Sequence, residues 1–186
     1  MKWFDWIMRK KTKQVNTLVN RFDFHLLKCC YILRTSNSGY THEDEYDLYA
    51  ITYVISDFAF SVANKNRKKS SDKILNLLIG KLAVRYPGIP ISCFRSRVDF
   101  YSMVINGMPL HAHCLPGVDL SNANPVSCCA IAFCDCLMNP QYVSNYRDHR
   151  QPVVSAFDAL KVATEIWEPL NSELAALYND MYTLAK

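Results

Sequence analysis

Apolar residues recur at helical spacing over most of the chain. Between Gln14 and Arg34 the positions Val15, Leu18, Val19, Phe22, Leu26, Cys29, Cys30 and Leu33 return mostly at intervals of three and four. That pattern predicts one long amphipathic helix, closed by a turn at Asn37 and Gly39. Thr41-His42-Glu43-Asp44 then reads as an N-cap followed by acidic residues, which favour the positive end of a helix. The second helix carries a stripe of Leu48, Ile51, Ile55, Phe58 and Val62 and runs out in the basic, polar linker Asn64 to Lys69. Ser70-Ser71-Asp72 is the expected cap of a third helix, with Ile74, Leu75, Leu78 and Leu82 on its inner face and Pro87, Gly88 and Pro90 as its stop. A fourth begins near Ser92, carries Phe94, Val98, Tyr101, Val104 and Ile105, and ends at Asn106-Gly107 with glycine as the C-cap.

The period then breaks. Residues 107–125 contain three prolines and two glycines and sustain neither helical spacing nor strand alternation. Val126 to Leu137 is almost wholly apolar and of a length that suits a buried central helix. From Pro152 a helical pattern runs through Val153, Phe157, Leu160, Ile166, Leu170, Leu174, Leu177 and Met181 to Leu184, with Pro169 inside it to kink or split the helix. The expected architecture is all-α: a single-domain bundle of six or seven helices over residues 14–186, with one long irregular loop at about 107–125. A basic, aromatic segment, residues 1–13, precedes it.

Composition narrows the class. Half of the 186 residues are apolar and 20% are charged, which excludes a disordered chain. The best apolar runs, Tyr49 to Ala63 and Val126 to Met138, are shorter than the ~18 residues a membrane span needs and contain Asp57 and Asp135. None of the eight cysteines stands in C-x-x-C spacing, and the N-terminal charges are not followed by the apolar core of a secretory signal. These features point to the cytoplasm, where free cysteines pack as small hydrophobes. The formal net charge of +4 is local: Met1 to Lys13 hold five basic residues against Asp5, and the remainder holds sixteen of each sign. A single basic terminus makes nucleic acid an unfavoured partner.

Candidate chemistry concentrates in the irregular loop. His111 and His113 alternate, so an extended backbone would point both imidazoles to one side, with Cys114 or Asp119 as a third ligand. Zinc or another transition metal is the ion such a set would hold; the competing reading is two loop histidines bonded to nearby carbonyls. No other cofactor is indicated. Phosphate-binding glycine loops, nucleophile elbows and kinase signatures are absent from the sequence, which leans away from an enzyme. Asp135, set in an apolar run, calls for a partner such as Arg95 or Arg97.

Two surfaces suggest partners instead. Trp3 and Trp6 interleave with Arg9, Lys10, Lys11 and Lys13, a combination that suits an anionic membrane surface or a protein contact. Such a contact would make the protein peripheral at the inner membrane face. At the other end Asp158, Glu165, Glu173 and Asp180 form an expected acidic docking face on the last helix. The reading that follows is a small cytosolic helical protein acting by protein–protein interaction, as a regulator or an immunity- or antitoxin-like inhibitor. Its alternatives are an enzyme or metal protein with its site at 107–125, and a membrane or nucleic-acid adaptor using residues 1–13.

Overall fold

The computed structural model describes residues 17–36, 42–63, 67–108, 123–138 and 159–186, and among them every regular element is a helix. Helix α1, Leu18–Thr35, starts where the Thr17 hydroxyl accepts the Asn20 N–H at 3.4 Å. Helix α2, His42–Ala63, is followed by α3, Arg67–Arg85, and α4, Ile91–Ile105. Next in chain order come α5, Pro125–Met138, and α6, Ala159–Val162, which passes through a π-helical turn, Ala163–Trp167, into α7, Glu168–Ala185. The all-α bundle expected from the periodicity is the fold observed. No helix among the described residues is long and apolar enough to cross a membrane.

Local chemistry sets several boundaries. Helix α4 ends in paired backbone bonds, Gly107 N–H to Val104 O at 3.1 Å and Met108 N–H to Met103 O at 3.0 Å. Gly107 itself sits at φ +96°, a conformation that side chains with a Cβ rarely adopt. Helix α5 opens with Pro125 after Asn124, whose side-chain oxygen accepts the Ser127 N–H at 2.9 Å. Pro169 falls at the start of α7. Its missing N–H and bulky ring are accommodated because the preceding turn has already widened, with Glu168 N–H bonded five residues back to Ala163 O.

One boundary differs from the sequence reading. Helix α3 begins at Arg67, ahead of the cap expected at Ser70 to Asp72. Ser71 is turned sideways instead. Its hydroxyl donates to Asp57 of α2 at 2.5 Å, and Arg67 closes on the same carboxylate through Nε at 3.1 Å and Nη2 at 2.6 Å. A tertiary partner has outcompeted the local capping role.

Helix α2 is the centre of the bundle, touching α1, α3, α4, α5 and α7. Residues Asp44 to Thr52 are almost all buried, so its inner surface is not the single stripe that the spacing of Leu48, Ile51 and Ile55 predicts. Tyr46, Ala50, Val54, Ala59 and Phe60 are buried as well, whereas Val62 reaches the surface. Hydroxyls inside this helix bond back along it, Thr52 to Leu48 O and Ser56 to Thr52 O, each at 2.8 Å. No polar atom of either residue is thereby left to the apolar core. Phe22, Leu26, Cys29 and Leu33 of α1, Ile74, Leu78 and Leu82 of α3, Phe94 and Tyr101 of α4, Cys129 to Leu137 of α5, and Leu170, Leu174, Leu177 and Met181 of α7 join α2 in the core.

Leu174 has no exposed surface, while Val84 at the end of α3 is 86% exposed. Leu174→Ala is expected to cost about 2–5 kcal/mol in urea unfolding, and Val84→Ala less than about 0.5 kcal/mol. Equal effects would contradict this core.

Candidate functional site

The acidic first turns of α2 are the most unusual local sequence in the core. None of Asp44, Glu45 and Asp47 is more than 1% exposed. A carboxylate can occupy such a position only when charge and hydrogen bonds replace its hydration. For Glu45 and Asp47 three neighbouring helices supply them. Glu45 Oε1 accepts from Arg34 Nε of α1 at 2.6 Å, and Glu45 Oε2 pairs with Arg85 Nη2 of α3 at 2.7 Å and accepts the Tyr86 hydroxyl proton. Asp47 Oδ1 accepts from Arg97 Nε of α4 at 2.9 Å. Arg97 also donates to Cys93 O at 3.2 Å and lies over the Tyr46 ring, 5.1 Å from its centroid. Asp135 is itself buried in α5, 4% exposed, while Arg95 is exposed on α4.

A second charged seam joins α1 to α7. Arg21 Nη1 donates to Asp180 Oδ2 at 2.9 Å, and Lys28 Nζ to Glu173 Oε2 at 3.1 Å. His25 lies between them, with Nδ1 2.5 Å from Glu173 Oε1 and Nε2 3.1 Å from Asp180 Oδ2. Of the acids expected on a docking face, Glu173 and Asp180 are paired with α1, their side chains 12% and 33% exposed. Glu165 remains exposed on the π-helical turn, and Asp158 lies outside the described residues.

Electrostatics follow from these contacts. Burial pushes the Glu45 carboxyl up, but hydrogen bonds from Arg34 and Tyr86 outweigh it and hold the group below its ordinary range. Arg67 and Ser71 do the same for Asp57 against its burial, as do Arg21 and His25 for Asp180. Burial drives thiols the other way: Cys30 is pushed up to about 12, and Cys129 and Cys134 rise further. Thiols in that state are poor nucleophiles and act as packing groups. Glu45, Asp57 and Asp180 are thus held ionised by their hydrogen-bonded partners, which suits anchoring.

His111, His113, Cys114 and Asp119 fall outside the described residues, as do Trp3, Trp6, Arg9, Lys10, Lys11 and Lys13. Among the described residues no group of three or more His, Cys, Asp or Glu side chains could hold a metal ion. Comparison with protein-family models, curated proteins and solved structures finds no match.

The surface feature that remains is on α1. Its inward residues Phe22, Leu26, Cys29 and Leu33 occupy one side, and Phe24, Leu27 and Tyr31 occupy the opposite side, 52%, 57% and 67% exposed. Spacings of three and four set these last three in one row along the helix. Lys28 lies over the Phe24 ring at 4.5 Å, and the flanks carry Lys28 and Arg21 on one side and Arg34 on the other. The spacing was present in the sequence, but the longer stripe from Val15 to Leu33 obscured it. Only burial separates the two faces.

Ionised Glu45, Asp57 and Asp180 contribute stability that is present above the ordinary carboxylate range near pH 4 and lost as pH falls through their lowered values. Urea unfolding is expected to show a steep loss of stability below about pH 4. Glu45→Gln should cost about 2–3 kcal/mol at pH 7 and make the acid limb shallower; an unchanged acid limb would remove Glu45 from this account.

Proposed function

We propose that this protein acts by binding a protein partner through the outer face of α1. One observation carries the reading. A single surface helix presents two apolar rows, one in the core and one, Phe24-Leu27-Tyr31, directed at water. A helix that is apolar on opposite sides gains stability by burying both, and an aligned row of exposed apolar side chains is how helix-binding surfaces present their anchors. The aromatic members fit this role, since large rigid side chains dominate interface energetics at modest entropic cost.

Charge suggests the partner's character. Arg21, Lys28 and Arg34 flank the row, and each keeps more than a third of its side chain exposed although paired within the fold. An amphipathic helix with apolar anchors and acidic flanks complements this face. Binding there would be regulatory or inhibitory and would require no chemistry of the protein's own. The same reading puts the protein in the cytoplasm, where buried free thiols such as Cys29, Cys129 and Cys134 stay reduced.

Substitution separates this surface from the fold. Leu27→Glu combined with Tyr31→Glu is expected to change stability by less than about 1 kcal/mol, because both residues are exposed. The same pair should weaken partner capture at least about 30-fold in side-by-side pull-downs with the wild type. Val84→Glu, at a still more exposed apolar site on α3, should leave capture unchanged. Capture that survives the α1 substitutions would overturn the proposal.

A further inference from the structure

His25 is buried on the inner side of α1, only 4% exposed, and each of its ring nitrogens faces a carboxylate of α7. The hydrogen-bond arithmetic is strict. Imidazolium carries two N–H donors and can donate to Glu173 and Asp180 at once. Neutral imidazole carries one donor and one lone pair, so one nitrogen must then point its lone pair at a carboxylate oxygen. No rotation of the ring relieves that conflict, because both sides of the site are anionic. The surrounding charges are also spoken for. From α1, Arg21 is paired with Asp180 and Lys28 with Glu173, and Asp23 is paired with Lys81 of α3 at 2.7 Å.

We infer that His25 is a proton-operated clamp that fastens α1 to α7, seated when the imidazole carries both protons and loosened when one is released to solvent. Its bearing on partner binding rests on the α1 docking surface proposed above. The connection is short: the Phe24 ring of that surface is edge-on to the His25 ring at a centroid distance of 5.7 Å. A shift of His25 in its seat therefore moves the base of the exposed row. Burial of the site strengthens both the attraction in the protonated state and the conflict in the neutral one. Acidification toward pH 5.5 leaves Asp180 ionised, since Arg21 and His25 hold it below its ordinary range.

The test uses the full-length, 15N-labelled protein at pH 5.5 and pH 8.5. Histidine side-chain spectra report the protonation of His25, and amide exchange, expressed as protection factors, reports the seating of α1. Protection of the Phe22–Leu33 amides is expected to fall about tenfold or more from pH 5.5 to 8.5, relative to the Ile131–Phe133 amides of α5. Glu173→Gln should abolish most of that fall, because a carboxamide can donate to the unprotonated ring nitrogen. Protection of α1 that is flat across this range in the wild type, or an equal fall in Glu173→Gln, would overturn the clamp. Both readouts are made without a partner. A pH-dependent α1 whose Leu27 and Tyr31 substitutions leave capture intact would therefore retain the clamp and remove only the docking surface.

Discussion

Everything else in this fold depends on matching the carboxylates of one largely buried helix. Helix α2 touches five other helices, and its N-terminal turns carry Asp44, Glu45 and Asp47 inside the bundle. Such groups destabilise a core unless neighbours bring opposite charge, and the neighbours here are three different helices and a turn. Arg34, Arg85, Tyr86 and Arg97 thereby fix where α1, α3 and α4 sit around α2. Apolar contacts could be satisfied by several rotations of each helix. The directional bonds to Glu45 and Asp47 accept far fewer.

The same logic reappears at lower burial between α1 and α7. There the carboxylates belong to α7 and the cations to α1, with His25 between two acids. Helix α1 is consequently held by charge at both ends of its inner face, through Arg21, His25 and Lys28 to α7 and through Arg34 to α2. Its outer face is left with an apolar row that the fold itself does not use. That division of labour within one helix is the basis of the functional reading.

Much of the architecture was legible from residue order. Periodicity located the helices because burial of one face imposes it directly, and Pro87-Gly88-Pro90, Asn106-Gly107 and Pro169 marked real interruptions because their backbone restrictions are local. What could not be read was any property set by distant partners. The burial of Glu45 and Asp47 at the start of α2 was not legible, since their arginines lie 11, 40 and 50 residues away. Glu173 and Asp180 looked like an outer face because charge counting along one helix carries no information on what packs against it. Ser71 looked like a cap until Asp57 of the preceding helix claimed its hydroxyl. Phe24, Leu27 and Tyr31 were visible in spacing, but their exposure follows only from the orientation of α1.

The central claim is that the outer row of α1 is an interface, and site-specific photo-cross-linking in cells addresses it most directly. A photoreactive phenylalanine derivative placed at position 27 is predicted to give a discrete, partner-containing adduct, whereas the same group at position 84 gives none. Absence of any adduct at 27, or identical adducts at both positions, would contradict the account.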